Sequence, residues 1–273
     1  MVLARTASEV VGPPLRRYGE RVLLAAVALT MTIAIWAAFL YAPTDLGQGD
    51  IQRILYFHVP LAIVSYVAFF VTFAASILYL WRRDARWDAL ASASAEVGVV
   101  YATLMLVAGM LWGQGYWGRP WDWADPRLTS TFVLWLIYVG YLLLRFYAGR
   151  TEATARIAAV VGIVGFVDVP IVHFAVTWWR SIHPDTDYLL GDGGSALPPA
   201  ATFALLAGFL AFTLLYVFLV VQVYRVERMQ QVMAQLRARV TYGADDEGGD
   251  GETVGAASLE SDHMDSIEHI VKR

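Results

Sequence analysis

The sequence contains no cysteine. Disulfides, thiolate metal sites and thioether attachment of a cofactor by this chain are therefore excluded. Charge is scarce at 16% of residues, against about 25% in an ordinary soluble domain. No phosphate-binding glycine loop, no HExxH and no nucleophile–base constellation is present, so the chain carries no motif for hydrolysis or for driving work with a nucleotide. No internal repeat marks a transporter built from two halves, and no chain of acids crosses the apolar segments as a pump would need.

Hydrophobic residues, by contrast, make up 58% of the 273 residues. They gather in six long runs, at about 22–42, 54–81, 89–111, 130–147, 157–176 and 200–224. The expected fold is an all-α integral membrane protein with six transmembrane helices. The first run is long for a signal-peptide core and is expected to be a retained span. Residues 1–242 form the expected membrane domain. Its inner end carries a helix over 225–240, where Val226, Met229, Met233, Leu236 and Val240 recur at helical spacing. Nine of the 24 acids follow Tyr242, so residues 243–273 read as an acidic, disordered tail.

Basic residues set the orientation. With both termini cytoplasmic, sixteen lysines and arginines fall on the inner side and four (Arg53, Arg119, Arg127, Arg180) on the outer. The expected location is a prokaryotic plasma membrane. Two loops then face outward, Trp112 to Thr129 and Thr177 to Pro199.

Those loops hold the notable residues. The first carries Trp112, Trp117, Trp121 and Trp123, with Arg119, Asp122, Asp125 and Arg127; the second carries Trp178, Trp179, Arg180 and His183. Interfacial tryptophans are common anchors, and Trp36, Trp81, Trp87 and Trp135 need no other account. Six on one face suit a flat apolar ligand, and the arginines could hold its acidic arms in bidentate fashion. Lipid phosphate is the other claimant for Arg119, Arg127 and Arg180. Three of the five histidines, His58, His173 and His183, fall on that same side. A histidine at a helix end can simply cap carbonyls, yet two imidazoles from separate segments could bracket an iron. His58 and His183 are the better pair, and His173 reads as structural or as a support to a ligand. Glu96 and Asp168 are intramembrane acids, for which a single helix–helix hydrogen bond is the favoured reading over an ion path.

WGRPWDWADPRLTS at 117–130 resembles the tryptophan-rich WWD motif of the haem-handling membrane proteins of cytochrome c biogenesis. YFHVPLA at 56–62, SAEVGVVYATL at 94–104, VDVPIVHF at 167–174 and WWRSIH at 178–183 are similar to the haem exporter protein C branch. The likeness covers about residues 50–225. It departs from the motif where Ala124 separates Trp123 from Asp125, with Asp122 a second contender for the motif acid and Asp125 preferred. Pro120 stands where tryptophan is common, and Asp168 where asparagine is common.

The resemblance implies a non-enzymatic protein that binds haem b non-covalently at the outer face, with His58 and His183 as axial ligands. It implies delivery to a haem chaperone, cytochrome c maturation protein E. The small single-span protein D, the ABC transporter proteins A and B, and membrane lipid are the implied partners, and nucleic acid is not. A cytochrome b-type electron-transfer subunit would instead stack histidine pairs inside the bundle, and a small-solute transporter would show broken helices at mid-membrane.

Overall fold

In the computed structural model the described residues are 14–179, 181–183 and 197–271, without the side chains of 14–17, 235 and 237–271. Helix α1 (Pro14–Trp36) ends in a π-helical turn, Ala37–Tyr41. A loop and a 3-10 turn (Asp50–Ile54) lead to α2 (Leu55–Arg82), followed by α3 (Ala85–Trp117) and α4 (Pro126–Tyr147). Then come α5 (Glu152–Phe166), α6 (Asp168–Trp178) and α7 (Pro199–Val271). Six helical segments are long and apolar enough to cross a membrane, with α5 and α6 together forming one of them. The chain is thus a six-span, all-α, multi-pass membrane protein. Residues 1–228 and 229–273 form separate compact units. The expected acidic tail falls on side chains outside the described residues, as do both chain ends.

Several helices reach farther than the apolar runs do. Asp125 caps α4, its side chain accepting from Arg127 N and Leu128 N, and Pro126 fills the first helical position. The tryptophan loop therefore shrinks, and Trp112 and Trp117 stand on the last turns of α3. At the opposite end, Arg83 adopts a left-handed conformation (φ 56°) after α2, and Asp84 caps α3 through Arg86 N at 2.8 Å. Pro170 has no N–H for the Phe166 carbonyl, and the fifth span breaks at Val167 between α5 and α6.

In a bilayer, apolar surface does not drive helices together as it does in water; close van der Waals contact and interhelical hydrogen bonds do. The buried face of α3 is accordingly rich in small residues, among them Ala89, Ser92, Ala93, Ser94 and Ala95. It packs most extensively on α2. Ser94 Oγ donates to Ala68 O at 2.7 Å, Tyr101 OH to Phe212 O at 2.8 Å, and Tyr138 OH to Gly162 O at 3.2 Å. One core unites α2, α3 and α7 around Val64, Tyr101 and Tyr216. A second unites α2 to α6 around Phe69, Tyr138 and Val172.

Two features bring the tryptophan end of the bundle together. Pro60 leaves the Tyr56 carbonyl without its helical partner, and α7 passes there so closely that a Cβ on Gly208 would lie 2.5 Å from that carbonyl oxygen. The Arg53 guanidinium donates to Ala38 O at 2.6 Å and Ala42 O at 3.1 Å, taking up carbonyls at the π-helical end of the first span. This draws loop 42–54 back over the ends of α2 and α3.

Candidate functional site

At the tryptophan end lies a cavity of about 340 Å³, within the ~300–1,000 Å³ usual for ligand sites. Its wall is mostly apolar, formed by residues such as Leu55, Val59, Ile63, Leu106 and Leu128. The polar lining comes from His58, His173, His183, Arg127, Gln48 and Tyr66. Trp112, Trp117 and Trp121 supply its aromatic surface.

His58 sits one turn into α2, facing α3. Gly109 makes room for it: a Cβ there would stand 3.0 Å from His58 Cε1. The His58 Nδ1 lies 3.0 Å from the Met105 carbonyl oxygen. A carbonyl only accepts, so Nδ1 carries the hydrogen. In the neutral ring Nε2 then keeps its lone pair, the arrangement seen in metal-binding histidines whose far nitrogen is tied to a carbonyl. The His183 ring lies with its centroid 6.3 Å from that of His58, at an interplanar angle of 34°. The two histidines singled out from the sequence are thus brought together across the cavity.

Segment 181–183 is anchored by Asp125, which is buried at 4% exposure. Asp125 Oδ2 accepts from Ser181 Oγ at 2.7 Å and from Ile182 N at 2.8 Å, while Oδ1 accepts from Arg127 N and Leu128 N. Ser181 Oγ in turn accepts from His183 N at 3.0 Å. Asp122 is engaged elsewhere, with Arg119 at 2.8 Å and with Ala124 N.

The tryptophans divide into two groups. Trp112 donates from Nε1 to Gln48 Oε1 at 2.9 Å and packs edge-on to Trp117. Trp121 reaches the cavity with its Nε1 buried and without a hydrogen-bond partner among the described residues. Trp123, Trp178 and Trp179 stand outside the lining and are exposed, Trp123 at 67%. Trp123 packs edge-on to Trp121 and Phe132, and Trp178 stacks on Phe174.

The arginines divide as well. Arg127 lines the cavity and forms no ion pair among the described residues, whereas Arg119 is paired with Asp122 outside the lining. Arg180 lies outside the described residues. Of the intramembrane acids, Glu96 is exposed with no side-chain hydrogen bond among the described residues, and Asp168 Oδ2 is buried without a partner. The helix–helix hydrogen bond expected of them is not found there.

The sequence reading missed Gln48, Tyr66, Gly109 and Tyr116. Met105, Gly109, Trp112 and Tyr116 recur at helical spacing, a signal that appears once α3 is extended to Trp117. Gln48 lies in an irregular loop, where no periodicity points to it.

No group of three or more His, Cys, Asp or Glu side chains converges among the described residues.

A family model described as Heme exporter protein C matches residues 11–239. The Heme exporter protein C of Bradyrhizobium diazoefficiens is 35% identical over 215 residues, covering 79% of this chain and 81% of its own length. That of Paracoccus denitrificans is 32% identical over 219 residues, covering 80% and 89%. That of Escherichia coli is 38% identical over 165 residues, covering 59% and 65%. A match of that extent, on a chain folded into six spans around a cavity with facing imidazoles, makes this protein a member of the Heme exporter protein C family.

Proposed function

We propose that this protein takes haem b non-covalently into the cavity at its tryptophan end and hands it on for c-type cytochrome maturation. Its family handles haem and is not a family of enzymes, so no catalytic turnover is assigned to it. His58 and His183 are the axial ligands in this reading. The observation that carries it is their spacing. Both rings line the one cavity with their centres 6.3 Å apart, near enough for each imidazole to reach a shared metal ion.

The remaining groups have complementary parts. Trp112, Trp117 and Trp121 give the porphyrin faces to lie against. Arg127, at the wall without a counter-ion among the described residues, takes a propionate, and the Trp121 N–H, without a partner among them, has an acceptor to find. Trp123, Trp178 and Trp179, exposed at the rim, extend the aromatic surface toward a partner. Arg119 and Arg180 are peripheral in this arrangement, and Glu96, Asp168 and His173 are structural or support the ligands. Haem bound in this way is accessible from the outer face, which the sixteen-to-four distribution of basic residues assigns to the tryptophan loop, leaving both termini cytoplasmic. Its acceptor is the haem chaperone cytochrome c maturation protein E, working with protein D and the ABC proteins A and B.

An absorption spectrum of the detergent-purified protein, loaded with haem, tests this reading. A Soret band that weakens or shifts in both His58→Ala and His183→Ala, and stays unchanged in His263→Ala, is expected. A parent protein without a Soret band after expression in a haem-replete host would overturn it.

A further inference from the structure

We propose that Asp125 is a positioning residue for His183, one carboxylate that fixes the second imidazole relative to the first. The proposal rests on the haem site described above and concerns how that site is held.

A buried carboxylate without a counter-ion is costly unless its lone pairs are filled. Asp125 forms no ion pair among the described residues. Its four donors come from two different pieces of chain: two backbone N–H groups of the first turn of α4, and the hydroxyl and N–H of residues 181 and 182. The N-terminal end of α4 adds the favourable sign of the helix dipole. Each oxygen serves one piece. Oδ1 closes the helix, and Oδ2 holds the segment that carries His183, with Ser181 Oγ relaying the hold to His183 N.

This division explains the residue type. Asparagine fills one side, but its amide nitrogen cannot accept from Ser181 and Ile182. Serine caps a helix nearly as well as aspartate, but its single short hydroxyl cannot serve two segments. Asp122, three residues earlier, cannot substitute, because it is already engaged by Arg119 and Ala124 N. Asp125 does not line the cavity, so its effect on haem passes through His183 rather than through contact.

The discriminating variant is Asp125→Ser, which keeps the cap on α4 and removes the hold on 181–182. Full-length protein is purified in detergent and titrated with haem. Absorption and electron paramagnetic resonance then distinguish six-coordinate low-spin iron from five-coordinate high-spin iron. The expected result is a melting temperature near that of the parent, haem affinity lower by about 10–100-fold as for other groups that orient metal ligands, and a high-spin signal matching His183→Ala. Added imidazole should restore the low-spin signal in both variants.

Parental affinity and spin state in Asp125→Ser would overturn the proposal. Should that variant fail to fold, Ser181→Ala leaves the α4 cap untouched. A several-fold loss with partial high-spin character is then expected, and an unchanged titration overturns the proposal. The two readings fail separately. An unchanged spectrum in His183→Ala overturns the bis-histidine site itself, whereas a changed His183→Ala beside a parental Asp125→Ser overturns only the role of Asp125.

Discussion

The two ends of the helix bundle both hold ion pairs, and they differ in what surrounds those pairs. At the end where α2 meets α3, carboxylates face guanidinium groups. Asp88, buried, and Arg145, partly buried, form a bidentate pair at 2.6 and 3.0 Å. Glu227 is held by Arg150 and also accepts from Ser92 Oγ at 3.1 Å. Arg225 reaches Glu20 at 2.6 Å, though its Nε is buried without a partner among the described residues, and Glu152 lies between Arg83 and Arg156. The tryptophan end holds ion pairs too, Arg119–Asp122 and Arg53–Asp50, but at its cavity wall Arg127 has no counter-ion and the buried Trp121 N–H has no acceptor among the described residues. Satisfied polar groups close a structure, whereas buried groups left open cost stability unless something fills them. The first end reads as a clamp on the bundle, and the second as a place kept for a ligand.

The largest effect should come from breaking the clamp. Arg145→Ala removes the guanidinium that meets both oxygens of the buried Asp88 carboxylate, and removing one partner of a buried pair costs about 3–5 kcal/mol. Thermal unfolding in detergent should show a large fall in midpoint. The haem spectrum of the protein that stays folded should keep its shape, because the pair lies at the opposite end of α3 and α4 from the cavity. An altered ligation spectrum with an unchanged midpoint would reverse the contrast between the two ends.

Arg127 should behave in the opposite manner. It occupies the second position of α4, at the positive end of the helix dipole, where a cation is disfavoured by about 0.3–1 kcal/mol. Arg127→Gln should therefore leave the midpoint level or slightly higher. Haem affinity should fall about 10–100-fold, the equivalent of a hydrogen bond to a charged group worth about 1.5–3 kcal/mol. Gly109→Ala sharpens the point with a smaller change. Alanine favours the helix by about 1 kcal/mol over glycine, yet its Cβ would press on His58 at 3.0 Å. A stable protein with altered ligation is expected, and isothermal titration beside a melting curve checks both halves.

How much of this could be read from the residues follows the same divide. Length and apolar runs reveal spans because a bilayer demands about 20 apolar residues, and the charged flanks mark their ends. That His58 and His183 would lie at the same end of the bundle was legible, because span ends and the loops that join them share one depth. Which tryptophans face the cavity was not legible. Trp121 and Trp123 are two residues apart in an irregular stretch, where neither helical nor strand period applies, and one turns inward while the other is 67% exposed. Asp122 and Asp125 posed the same problem. Their roles depend on contacts with Arg119 and with residues 181–182, the latter 56 or more positions away in sequence. Helix ends were underestimated for a related reason. Trp112 and Trp117 look like loop residues by composition, but α3 continues through them and presents Gly109 and Trp112 on the face of His58.

Replacing Trp121 with 3-benzothienylalanine, which carries sulfur where indole carries its N–H, gives the finest test of the contrast. It keeps the bicyclic ring and removes only the Nε1–H, a buried donor with no partner among the described residues. In the empty protein the loss of an unsatisfied buried group should leave stability unchanged or raise it. With haem bound, the same N–H finds an acceptor only if the cavity is occupied as proposed, so its removal should weaken binding by about 2–10-fold, the equivalent of about 0.5–1.5 kcal/mol. A variant both more stable and a weaker binder would show that the orphaned donor is kept for the ligand. A more stable variant with parental affinity would mean that Trp121 serves packing alone, through its edge-on contacts with Trp123 and Phe132. The tryptophan end would then owe its open polar groups to something other than the porphyrin.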